Sequence, residues 1–130
     1  MEKFVTFKIA KKLKENGFDL PILEVYGKFD SYGIFHSQLD FNYTGTMGRG
    51  GFIAPTIEQV FKWLRNNKKT MISVLPVAFN EKENKFNKYY CTIYYAAKGI
   101  VFESHERPDT FETYEECALD AIEYAIDKIN

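Results

Sequence analysis

Apolar and polar residues follow two rhythms along this chain. From Phe7 to Asn16, Phe7, Ala10 and Leu13 recur at helical spacing, and Lys8, Lys11, Lys12 and Lys14 cover the rest. This pattern predicts an amphipathic helix. Thr6 stands where its hydroxyl can cap the first turn. Asn16-Gly17-Phe18 predicts the stop, with Gly17 left-handed and Phe18 folded back on Leu13. A second helix is predicted from Pro55-Thr56 to Asn66-Asn67. Thr56 and Gln59 form a capping box there, and Ile57, Val60, Phe61 and Leu64 fit the i, i+3, i+4, i+7 template. A third helix opens at Thr113, capped with Glu116. Tyr114, Cys117, Ala118, Ala121, Ile122, Ala125 and Ile129 make its apolar stripe, and Glu115, Glu116, Asp120, Glu123 and Asp127 its wet face.

Period-two stretches lie between the helices. In the first, Ile22 to Phe29, Leu23, Val25 and Phe29 alternate with Glu24, Tyr26 and Lys28. Asp30-Ser31-Tyr32-Gly33 is turn chemistry. In the second, Phe35, Leu39, Phe41 and Tyr43 share one face, and His36, Gln38, Asp40 and Asn42 share the other. Such alternation predicts a strand with one dry and one wet face. A third strand, Thr70 to Phe79, contains Pro76, which cannot donate to a ladder, so it is an edge or bulges there. A charged turn, Asn80 to Asn87, leads to a fourth strand from Lys88 to Ala96 and a short fifth from Ile100 to Glu103. Between Thr44 and Gly51 stand four of the eight glycines, which predicts a flexible loop.

The order is α-β-β-α-β-β-(β)-α. Short connections between neighbouring strands imply antiparallel hairpins. The expected fold is α+β, one domain over residues 1–130, a two-layer sandwich of three helices on an antiparallel sheet of four or five strands.

Composition narrows the class. The 130 residues are 45% apolar, 17% aromatic and 27% charged, which excludes disordered, collagen-like and disulfide-scaffold proteins. The sequence has no apolar run long enough to span a membrane, and Met1-Glu2-Lys3-Phe4 predicts no secretory leader. Net charge is −1 but uneven. Residues 1–70 carry 11 Lys/Arg against 7 Asp/Glu, net +4, and residues 71–130 carry 6 against 11, net −5. Cys91 and Cys117 lack CxxC or zinc spacing, which fits a cytoplasmic protein.

Three stretches are familiar together: Phe4-Val5-Thr6-Phe7-Lys8-Ile9-Ala10-Lys11-Lys12-Leu13-Lys14, Ala54-Pro55-Thr56-Ile57-Glu58-Gln59-Val60-Phe61-Lys62-Trp63-Leu64-Arg65, and Thr113-Tyr114-Glu115-Glu116-Cys117-Ala118 onward. They resemble a group of small proteins from Bacteroidetes genomes, without an assigned activity, often associated with phage or other mobile elements. The resemblance covers the three helices, about a third of the chain by the extent of those motifs. It implies a fold and supplies no functional residue.

Candidate chemistry is sparse. Gly45 and Gly50 have phosphate-loop spacing, but Gly51-Phe52 replaces the required Lys-Ser/Thr. Gly48, Arg49, Gly50 and Gly51, with Thr56 at the following helix N-terminus and His36 on the wet strand face, form the candidate anion site. On that face His36 and Asp40 lie roughly 13 Å apart at about 3.3 Å per residue, leaving Glu24 as a cross-strand partner for His36. With only His36 and His105, no metal site is expected. No catalytic residue and no cofactor are expected either. A partner surface is expected at Lys8, Lys11 and Lys12 and at Tyr90 and Tyr94, which alternation separates from Tyr89 and Tyr95. The sequence therefore predicts a non-enzymatic accessory or interaction domain with a protein partner or a second copy. The alternatives are a nucleic-acid- or anion-binding module on the basic half, and a small enzyme on the polar sheet face.

Overall fold

The computed structural model describes residues 3–37, 51–106 and 110–128. Backbone contacts gather the chain into two compact units, Met1–Gln59 and Val60–Asn130.

In the first unit, α1 spans Phe7–Glu15. Its cap is the expected one, Thr6 Oγ1 accepting from the N–H of Ile9 at 3.3 Å. Its end is a Schellman motif: the Phe18 N–H donates to the Leu13 carbonyl at 3.0 Å and the Gly17 N–H to that of Lys14 at 3.2 Å. Ile9, Ala10, Leu13 and Phe18 are buried.

The strand expected over Ile22 to Phe29 is mostly not a strand. Pro21 accepts from the Glu24 N–H at 2.8 Å and sets a 3-10 turn over Ile22–Glu24. Leu23, assigned to the dry face by alternation, is 84% exposed, while Val25 and Phe29 are buried. Only Gly27–Phe29 remains extended, as β1. It pairs with β2, Phe35–Ser37, through an antiparallel hairpin, Lys28 opposite His36 and Phe29 opposite Phe35. On its other side β1 pairs with β3, Phe52–Ile53, giving the order β2-β1-β3. No alternation marked β3, because two residues next to glycines are too short to show a period. Leu39, Gln38, Asp40, Phe41, Asn42 and Tyr43, and the glycine loop up to Gly50, lie outside the described residues.

One face of this sheet is aromatic. Phe52, Phe29 and Phe35 stand side by side in register. The Phe7 ring meets Phe29 at 5.6 Å and Phe52 at 5.5 Å, and Phe4 meets Phe35 at 4.8 Å. Tilted and edge-on geometries of this kind favour the ring quadrupoles. Two glycines make room. A Cβ at Gly27 would collide with the Phe35 ring, and one at Gly33, where φ is +84°, would sit 2.7 Å from Phe7 Cδ2. The helix α2, Ile57–Asn67, opens with the expected capping box and begins in this unit. Thr56 N–H donates to Gln59 Oε1 at 3.0 Å, and Gln59 N–H to Thr56 Oγ1 at 3.1 Å.

In the second unit Val60, Trp63 and Leu64 of α2 are buried. Three long strands follow, β4 (Thr70–Asn80), β5 (Lys85–Ala97) and β6 (Ile100–Glu106), in the order β4-β5-β6. β4 is an edge, and its register with β5 shifts between Pro76 and Phe79, so both expectations for Pro76 hold together. The turn is tighter than the charge run suggested. Asn80 Oδ1 accepts from the N–H groups of Lys82 and Glu83 at 3.0 and 3.2 Å, and pairing restarts at Lys85. Side-chain closure of the turn lets Lys85 to Asn87 join the ladder despite their polarity.

The last helix, α3 (Tyr114–Lys128), lies against β4 and β5. It buries Cys117, Ala118, Ala121, Ile122, Ala125 and Ile126 against the sheet residues Ile72, Cys91 and Ile93, which are buried too. Ile126 was not in the predicted stripe. The three alanines on this face allow close approach of helix and strand.

The class is therefore α+β, as expected. The single sheet of four or five strands is corrected: among the described residues, the strands form two antiparallel sheets of three. The short hairpin pairs with β3, which the pattern does not show, and β4, β5 and β6 pair in chain order through tight turns.

Candidate functional site

The turn between β1 and β2 is closed by one side chain. Asp30 Oδ1 accepts from the N–H groups of Tyr32 at 2.9 Å and Ile34 at 3.0 Å. Gly33, left-handed, donates its own N–H to the Asp30 carbonyl at 3.0 Å. Aspartate favours this position because its carboxylate substitutes for the backbone acceptor. The second oxygen, Oδ2, lies 3.0 Å from His36 Nε2.

His36 thus has a carboxylate partner, and it is Asp30 rather than Glu24. Glu24 sits in the 3-10 turn, and its carbonyl accepts from Gln59 Nε2. The signal for Asp30 was in the sequence: a four-residue turn brings the residues on its two sides together. The His36 hydrogen bond, then the Ile34 N–H, hold the Asp30 carboxyl below the ordinary aspartate range. An ionised carboxylate only accepts, so His36 Nε2 is the donor in this contact. Lys28 stands directly opposite His36 on the same face. This is a polar row of acid, imidazole and ammonium on the sheet face away from the phenylalanines. Its Asp30–His36 contact fastens β2 to the turn that precedes it.

The other candidate anion residues are not gathered around His36. Gly48, Arg49 and Gly50 lie outside the described residues. Gly51 accepts from Lys14 Nζ at 3.4 Å. Thr56 is buried and committed to the capping box, and the next N–H, of Ile57, donates to the Lys3 carbonyl at 3.0 Å. The N–H groups of Thr56, Ile57 and Gln59 are therefore already used within the chain.

Among the expected partner residues, Lys8 and Lys11 are exposed on α1 and Lys12 is half-buried. Lys11 Nζ stands over the Phe7 ring at 5.2 Å. Tyr90 and Tyr94 are half-buried on the sheet face away from α3. On the α3 side, Tyr89 meets Tyr114 edge-on at 6.2 Å.

A stronger surface feature lies beyond the tyrosines. The outer parts of β4 and β5 run past the last residue paired with β6 and past Tyr89, which Phe111 bridges on that side, and continue from Lys88 outward as a two-stranded ribbon. Leu75, Val77, Phe79 and Phe86 each leave between 42% and 53% of their surface open. Phe79 and Phe86 face each other in register and touch edge-on at 5.1 Å. Around them Glu81, Lys82, Glu83, Lys85 and Lys88 are exposed. The sequence hides this surface because Phe86 stands within the charged run Asn80 to Asn87, which predicts a turn, whereas β5 already begins at Lys85.

Cys91 and Cys117 are both buried and not disulfide-bonded. Burial, and then the charge and hydrogen bond of Cys91, push the Cys117 thiol up to about 12. Such a thiol is a small hydrophobe, not a nucleophile. Among the described residues no group of three or more His, Cys, Asp or Glu is placed to hold a metal ion. No helix there is long and apolar enough to cross a membrane. No family model, curated protein or solved structure matches the chain.

Proposed function

We propose that this chain is a non-enzymatic interaction module that associates with a second copy of itself through the β4–β5 ribbon. The half-open Phe79–Phe86 pair at the ribbon tip carries this reading. Two aromatic rings in contact with each other and still half in water leave apolar area that only a partner removes. The tip also favours self-association. Acidic Glu81 and Glu83 stand within a few residues of basic Lys82, Lys85 and Lys88, a mixed-sign surface that complements its own copy across a two-fold axis. The outer edge of β4, unpaired by any strand among the described residues, adds backbone donors and acceptors beside it. We place the protein in the cytoplasm on its cysteine usage. An association with mobile elements, as the helical motifs suggest, belongs to the same proposal.

Light scattering over a concentration series tests the reading. The wild-type chain should approach twice its monomer mass, and Phe79→Ser with Phe86→Ser should stay monomeric with an unchanged circular dichroism spectrum. A wild-type chain that is monomeric at every concentration contradicts it and leaves the ribbon to a different protein.

A further inference from the structure

The cavity under the C-terminal end of α3 has the chemistry of an anion site with an apolar body. It encloses about 260 Å³ within the unit Val60–Asn130. Ile93 of β5 and Ala125 of α3, each 2% exposed, line it, together with the half-buried Ala96. Tyr95 and Tyr124 also line it, as do Lys68 and Lys128, whose side chains are exposed to solvent. The space exists because a small side chain, Ala125 on α3, stands opposite Ile93 and Tyr95 of β5 and leaves a gap that a larger residue would fill.

Charge in the lining has one sign. Among the described residues it holds two ammonium groups and no carboxylate. Lys68 follows α2 and Lys128 ends α3, so two separate elements deliver the cations. Among the described residues neither ammonium has a carboxylate partner. Lys68 Nζ stands 5.5 Å from the Trp63 ring and Lys128 Nζ 5.5 Å from the Tyr124 ring. Thr70, also in the lining, is not a competing donor, since its hydroxyl donates to the Lys68 carbonyl at 2.9 Å.

We propose that this cavity binds a small aromatic carboxylate. The volume lies just below the roughly 300–1,000 Å³ of pockets for drug-sized molecules, which suits one ring with a short acid arm. The ring would lie on Ile93 and Ala125 with its edges toward the two tyrosines. The carboxylate would remain at the mouth between two point charges, where it keeps part of its hydration and avoids the cost of burial. This site is independent of the ribbon.

The test is an NMR titration of the ¹⁵N-labelled full chain with 4-hydroxyphenylacetate and, in parallel, with the neutral 4-hydroxyphenylethanol. Saturable shifts should cluster on Lys68 to Thr70, Ala96 and Tyr124 to Lys128, with the acid binding about tenfold tighter than the alcohol. Lys68→Met with Lys128→Met should remove that preference without lowering the melting temperature, and Ala125→Leu should abolish binding by filling the space. Phe79→Ser with Phe86→Ser should bind normally, which separates this site from the proposed self-association. Equal binding of acid and alcohol, shifts scattered over the lysines of α1, or no shifts at millimolar acid would each overturn the proposal.

Discussion

His36 Nε2 lies 3.0 Å from Asp30 Oδ2, and that contact ties β2 to the turn that starts it. The other Asp30 oxygen serves two backbone N–H groups of the same turn. A single carboxylate therefore closes the hairpin at three points, and its ionisation state matters to folding.

The sign of the pH effect follows. Folding lowers the Asp30 carboxyl, first through the His36 hydrogen bond. The stabilisation is then complete above the unfolded value, about pH 4 for an aspartate, and is lost as pH falls through the lower folded value. Melting temperatures between about pH 2 and pH 6 should fall more steeply with acid in the wild type than in Asp30→Asn. Parallel curves for the two proteins would show that the contact does not stabilise the fold.

Gly33 and Gly17 separate backbone strain from steric contact. Both are left-handed, at φ +84° and +83°. A Cβ at Gly17 meets nothing within 4 Å, whereas one at Gly33 sits 2.7 Å from the Phe7 ring. Gly17→Ala should cost about 1–2 kcal/mol from the backbone alone. Gly33→Ala should cost measurably more in urea denaturation, and equal losses would mean that the Phe7 ring moves aside freely.

The two caps should differ in strength. Thr56 is buried and its cap is reciprocal, while Thr113 is exposed and accepts only from the Glu116 N–H, at 3.1 Å. Thr56→Ala should cost about 1–2 kcal/mol and Thr113→Ala about 0.5–1 kcal/mol in denaturant titrations. The reverse order would contradict the assignment.

Cys117 should resist thiol reagents in the folded protein. With its thiol pushed up to about 12, roughly one molecule in ten thousand is thiolate at pH 8, and burial blocks access to that one. Labelling by a disulfide reagent should follow unfolding, with a rate that rises with urea. Prompt labelling in buffer would show that α3 opens without global unfolding.

Local chemistry was legible where a residue acts on its own neighbours. Thr6, Gly17, Thr56 and Asn67 mark helix ends that the structure keeps, because caps and stops are satisfied within a few residues. Pro76 revealed an edge strand for the same reason. Pairing was less legible. Two residues, Phe52 and Ile53, complete a sheet that no period could show, and Pro21 turned Leu23 out of a strand that its alternation suggested. His36 was singled out, but its partner depended on hairpin register. The ribbon surface was hidden because Phe86 sits among charged residues, which resemble a loop until Asn80 is seen closing the turn.

Self-association through the ribbon is tested most directly by placing one copy against another. Lys82→Cys, spin-labelled at that exposed site, would be mixed without isotope into ¹⁵N-labelled wild-type chain, the native thiols being buried. Two ribbons in contact predict paramagnetic broadening of the labelled copy confined to amides near Phe79 and Phe86. Undiminished signals there at concentrations where the mass is dimeric, or broadening centred on α1 instead, would contradict the account.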